Sequence, residues 1–118
     1  MGIGTKRLVV GAHYGMRDWL VQRMTAVILA LFTVLLAVRL ALAGSLDYDT
    51  WAGLFVPVPM KVATLVAVVA LAWHAWIGMR DIWMDYVRVT GLRLLLQVVT
   101  IVWLVACALW SAQILWRV

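Results

Sequence analysis

The chain has 118 residues, 67% of them hydrophobic and only 13% charged, with a net charge of +5. Soluble domains average roughly 45–50% apolar and about 25% charged, so this composition excludes an ordinary water-soluble domain and points to a single membrane domain over 1–118. The basic residues cluster at the ends of apolar runs instead of forming a stripe on a polar helix, which argues against nucleic-acid binding.

Residues 1–17 read as a cytoplasmic arm, loose over its first dozen residues. The first apolar run follows, from about 22 to 43, with Met24–Val38 free of charge. A membrane-crossing helix needs about 20 such residues. The run is too long for a cleaved signal, whose apolar region spans about 7–15 residues. Arg39, near its far end, reads as a snorkelling side chain.

"GSLDYDT" (residues 44–50) breaks the chain with turn and cap residues. Pro57 and Pro59 suit the entry to a helix, not its middle. The second run spans about 58–83, with Val62–Met79 uncharged. "DYVRVTG" (residues 85–91) forms the second break, with Gly91 as turn candidate. The third run, about 94–116, has no charge at all. Within it Cys107, the only cysteine, reads as an inert packed thiol.

The predicted fold is therefore an all-α membrane protein of three transmembrane helices. Seven basic residues (Lys6, Arg7, Arg17, Arg23, Arg80, Arg88, Arg93) fall on one side of this arrangement and three (Arg39, Lys61, Arg117) on the other. The positive-inside rule then puts the N-terminus in the cytoplasm and the C-terminus outside, which is the periplasmic side if the membrane is a bacterial inner membrane. Trp19, Trp51, Trp83, Trp110 and Trp116 lie near span ends, as interfacial anchors do.

The second run carries the chemistry. Ala63, Ala67, Ala70, His74, Gly78, Asp81 and Asp85 follow one another at steps of three and four, and so share one helix face. Small residues let another body approach, and Gly78 removes a side chain one turn beyond His74. A histidine in hydrocarbon needs a partner. Two readings stay open on spacing alone: a neutral imidazole bonded to a Ser, Thr or carbonyl of a neighbouring helix, or an axial ligand to haem iron. The other histidine, His13, lies in the arm, so a two-histidine haem site would need its second ligand from another chain. Asp85 and Tyr86 lie 11 and 12 residues past His74, roughly 16–18 Å along the axis, at the cytoplasmic interface. They read either as a solvated helix end or as a pair that hydrogen-bonds a lipid-soluble quinone. Asp81 reads as a partner of Arg80 or Arg88.

Several stretches in order carry a resemblance: "RMTAVILALF" in the first run, "YDTWAGLF" before the second, "HAWIGM" followed by "DYV", and "LRLLLQVV" opening the third. From about Asp18 to the end, the chain resembles the small hydrophobic membrane-anchor subunit, the cytochrome b component, of bacterial succinate dehydrogenase (respiratory complex II). The resemblance implies a four-subunit enzyme of the tricarboxylic acid cycle and electron transport, in which a flavoprotein and an iron–sulfur subunit sit on two three-helix anchors. It also implies haem b shared with the second anchor, with His74 as an axial ligand from this chain. Arg23 matches a basic residue near the haem propionates. Arg17 falls where relatives can carry a histidine, a departure that leaves an arginine to meet a propionate. Asp85 and Tyr86 correspond to the ubiquinone-site pair. On this reading the chain is a non-autonomous subunit with no catalytic residue of its own.

Other classes make different demands. A small drug/proton antiporter of this length would use four spans and a membrane Glu, and the chain has three runs and no Glu. A cofactor-free assembly protein would keep its properties without His74. An anchor of a related quinone-linked enzyme such as fumarate reductase would look the same.

Overall fold

The structure, a computed structural model, describes the backbone of residues 2–118 and the side chains from Gly15 onward. It holds four helices in chain order: α1 (Gly2–Ala43), α2 (Tyr48–Gly53), α3 (Val58–Tyr86) and α4 (Thr90–Arg117). No strand occurs among the described residues. The three apolar runs form three long helices with apolar stretches at Gly15–Ala43, Val58–Tyr86 and Thr90–Arg117. The fold is all-helical with three potential spans, as composition and run length require.

Each helix overruns its apolar run. Hydropathy marks where hydrocarbon ends, whereas a helix stops where backbone conformation changes. α1 extends back through Gly15, Met16 and Arg17, where an arm was expected. The side chains of the earlier arm, His13 among them, lie outside the described residues. α3 continues past Trp83 to Tyr86. It stops at Val87, which is extended (φ −102°, ψ 114°) and donates its N–H to the Trp83 carbonyl at 3.1 Å. Val89 is also extended (φ −76°, ψ 116°), a region β-branched residues favour. α4 starts directly after it, so Gly91 lies in a first helical turn and not in the connection where it was expected.

The first connection is more ordered than its turn residues suggested. Gly44 adopts φ +81°, the left-handed conformation that ends a helix and that glycine reaches without steric cost. Asp47 then caps α2: its carboxylate accepts the Thr50 N–H at 2.8 Å. Hydrogen bonding from Thr50, side chain before backbone, holds the Asp47 carboxyl below its ordinary pKa. Trp51 packs edge-on against Phe55, centroids 5.1 Å apart. Pro57 caps α3 and Pro59 sits in its first turn, as the sequence led one to expect.

α3 is the central helix and packs against both α1 and α4. Its buried residues are Met60, Ala67, Ala70 and Ile77; the small side chains allow close helix approach. Elsewhere Leu54, Leu115 and Thr25 are the buried positions among the described residues. Leu31, Val34, Leu95, Trp103 and Trp110 point outward. Cys107 is exposed on α4, so it does not pack against this chain's own helices.

Hydroxyls in the spans bond backwards. Thr33, Thr64, Thr100 and Ser111 each donate to the carbonyl four residues earlier, at 2.7–2.8 Å. Without water, a hydroxyl finds its nearest acceptor on its own helix. Thr100 has lone pairs to spare and accepts the Trp83 Nε1–H at 3.0 Å, tying α3 to α4.

Candidate functional site

His74 sits in the middle of α3, half-buried against α1. Facing it is Thr25, only 7% exposed. The Thr25 Oγ1 lies 3.0 Å from His74 Nδ1. The same oxygen is 2.8 Å from the Val21 carbonyl and 3.1 Å from that of Gln22. His74 Nε2 has no hydrogen-bond partner among the described residues. The bond to a threonine of a neighbouring helix is thus present, and it occupies one ring nitrogen only.

Further along, Arg80 of α3 pairs with Asp18 of α1, their side chains 29% and 38% exposed. This corrects the expectation that Arg80 or Arg88 serves Asp81. Successive helix residues do not face each other, and Arg80 points across to α1. Asp81 is exposed and lines a cleft of about 350 Å³ with Gly15, Asp18, Trp19, Gln22, Arg23 and Ile77. In that cleft the Arg23 guanidinium lies over the Trp19 ring, 5.5 Å from its centroid. Gln22 Oε1 is buried there without a partner among the described residues. Arg17 is exposed and stands outside this lining.

The small-residue face divides into two parts. Ala67 and Ala70 are buried against the chain's own helices, so they serve internal packing and not an incoming ligand. Gly78 does open space: a Cβ added there meets nothing within 4 Å. A separate, apolar groove of about 440 Å³ runs along α1 and α3 and is lined by Val21, Met24, Thr25, Ile28, Leu65, Val66, Val69, Ala70 and Trp73.

Asp85 and Tyr86 are the last residues of α3, and Tyr86 is 80% exposed. They stand about three turns from His74, too far for contact, with Asp85 nearly in line with His74 and Tyr86 about 120° further around the helix. Sequence reasoning did not single out Thr25 or the Asp18–Arg80 pair. A lone hydroxyl at the membrane end of "RMTAV" was the available signal for Thr25. The pairing of Asp18 needs the antiparallel register of α1 and α3, which no local pattern states.

Among the described residues no group of three or more His, Cys, Asp or Glu side chains stands ready to hold a metal. A bare ion would therefore lack ligands at His74. A porphyrin, which brings four nitrogens of its own, would ask this chain for one imidazole, and His74 is the imidazole it could offer.

Known proteins resemble this chain along most of its length. The family model described as succinate dehydrogenase/fumarate reductase transmembrane subunit matches residues 2–112. The succinate dehydrogenase hydrophobic membrane anchor subunit of Coxiella burnetii (strain RSA 493 / Nine Mile phase I) is 38% identical over 102 residues. That alignment covers 86% of this chain and 89% of the relative.

Proposed function

The chain belongs to the succinate dehydrogenase/fumarate reductase transmembrane subunit family, and from that membership we propose that it helps to bind haem b and forms part of a ubiquinone-reduction site. The anchor role itself follows from the family and from three helices long and apolar enough to cross a membrane. The complex it serves is a succinate dehydrogenase of the bacterial inner membrane, with a flavoprotein, an iron–sulfur subunit and a second anchor as partners.

One observation carries the haem reading. His74 lies half-buried in the central helix with Nδ1 engaged and Nε2 without a partner among the described residues. His74 would be the axial ligand from this chain, with the second axial histidine on the other anchor. Arg23 would meet a propionate, and Arg17, further out on α1, would add positive charge there. When bound, haem b supplies a one-electron relay within the membrane. The open position at Gly78 leaves room beside His74.

The last turn of α3 would do the quinone chemistry. The Tyr86 phenol donates a hydrogen bond to a ubiquinone carbonyl oxygen, and Asp85 orients that phenol or passes protons. Both are exposed in this chain alone, which suits a site completed by neighbouring subunits. Fumarate reductase is the second reading, because the matching family description names both enzymes. Redox partners on other chains set the direction.

The test is a reduced-minus-oxidised visible spectrum of the purified complex, in wild type and His74→Ala. The low-spin b-type signal should be altered or lost in the variant. An unchanged signal would remove His74 as ligand.

A further inference from the structure

We propose that Thr25 is a positioning residue for His74: its oxygen accepts the Nδ1 proton and so fixes the imidazole with Nε2 free to bind iron. The proposal rests on the haem reading above and extends it to a residue on another helix.

The argument begins with counting protons. A threonine hydroxyl has one proton and two lone pairs. Thr25 Oγ1 lies 2.8 Å from the Val21 carbonyl and 3.1 Å from that of Gln22. Neither carbonyl can donate, so the hydroxyl proton belongs on that side. The other hydroxyls of the spans at Thr33, Thr64, Thr100 and Ser111 use their proton the same way. With its proton directed backwards, Thr25 can only accept from His74, 3.0 Å away. Nδ1 must then carry the hydrogen. In a neutral imidazole the lone pair resides on Nε2.

Trp83 and Thr100 supply an internal control. There the ring nitrogen is a donor by its chemistry, because an indole Nε1–H has no lone pair to offer. The geometry is nonetheless the same: hydroxyl to its own helix at 2.7 Å, ring N–H to the hydroxyl oxygen at 3.0 Å. His74 and Thr25 repeat this arrangement on the opposite flank of α3.

Burial makes the arrangement selective. Thr25 is 7% exposed, so water does not compete for Nδ1–H. Ligating histidines commonly donate their second N–H to such a partner, which fixes ring orientation and makes the ligand more basic. A more basic imidazole favours ferric over ferrous iron. Removing the acceptor should therefore raise the haem midpoint potential.

The experiment uses the assembled complex with Thr25→Val, Thr25→Ala, Thr25→Ser and His74→Ala. The readouts are haem content per flavin, the low-spin electron paramagnetic resonance signature and the midpoint potential. Thr25→Val and Thr25→Ala should both raise the potential, corresponding to a roughly twofold to tenfold weaker ferric preference, about 20–60 mV for a one-electron couple. Thr25→Ser keeps the oxygen and should restore the wild-type value. Lower haem content in Val and Ala that Ser restores counts in favour as well. Wild-type potential and content in Val and Ala would overturn the proposal while leaving His74 as ligand. So would equal haem loss in Val, Ala and Ser, because the hydroxyl would then not be the relevant group. An unchanged signal in His74→Ala would instead overturn the ligand assignment, and this proposal with it.

Discussion

Tyr86→Phe removes one oxygen and keeps the ring at the exposed end of α3. A lost hydrogen bond to a ligand costs about 0.5–1.5 kcal/mol, more where the acceptor stays buried and unpaired. Quinone reduction should fall several-fold, while succinate oxidation with an artificial acceptor upstream of the quinone should be spared. Equal loss in both assays would mean misassembly. Asp47 gives a second residue-scale test, through pH. Its carboxyl is held below the ordinary value by hydrogen bonding from Thr50. Its contribution to the α2 cap is therefore complete above the unfolded Asp pKa, about 4, and disappears as pH falls through the lower folded value. The Thr50 amide resonance of the 15N-threonine-labelled complex should titrate in that acid range. Asp47→Asn should abolish the titration. At this scale the sequence was informative wherever one residue type was chemically out of place. His74 in an apolar run announced a partner. Thr25 did not, because a threonine that bonds its own backbone is ordinary in a membrane helix, and only the packing of α1 on α3 shows its second bond.

At the scale of helices, three polar contacts fix α3 against its neighbours: His74 to Thr25 and Arg80 to Asp18 on α1, and Trp83 to Thr100 on α4. The ion pair is about a third exposed, so solvent screens it and desolvation offsets it, and its net worth is about 1 kcal/mol or less. Asp18→Asn alone should destabilise the complex more than Asp18→Asn combined with Arg80→Met, because the single change strands a guanidinium. Thermal melting of the detergent-solubilised complex measures both, and additive losses would show that the pair is not coupled. The existence and type of the three long helices were legible from apolar length, since about 20 such residues have few alternatives. Their ends were less so. α4 begins at Thr90 because Val87 and Val89 take extended conformations, and hydropathy does not register that change. The short α2 escaped for a related reason: Asp47 and Asp49 read equally well as turn residues, and only the bond to Thr50 distinguishes a cap from a turn.

The whole molecule buries little of itself. None of the most apolar stretch of α1 or α4 is buried, and 17% of that of α3. On the proposed function, lipid and a second anchor cover the remainder, so the isolated chain should fail to retain haem, a result that absorbance after purification without the other anchor would check. The charge bias predicts an orientation: a reporter fused after Val118 should be active outside the cytoplasm and silent within it. α3 sets one further property of the assembly. His74 and the Asp85–Tyr86 pair ride on a single helix without a break, so their relation is one of phase as well as distance. Each residue inserted between them advances the pair about 1.5 Å and turns it by about 100°. One inserted alanine after Gly78 would swing the pair away from its present side. The same insertion in the extended 87–89 segment would leave that angle untouched. Tolerance to added length should therefore change abruptly at the end of α3, with the helix acting as a graduated shaft and the loop as slack.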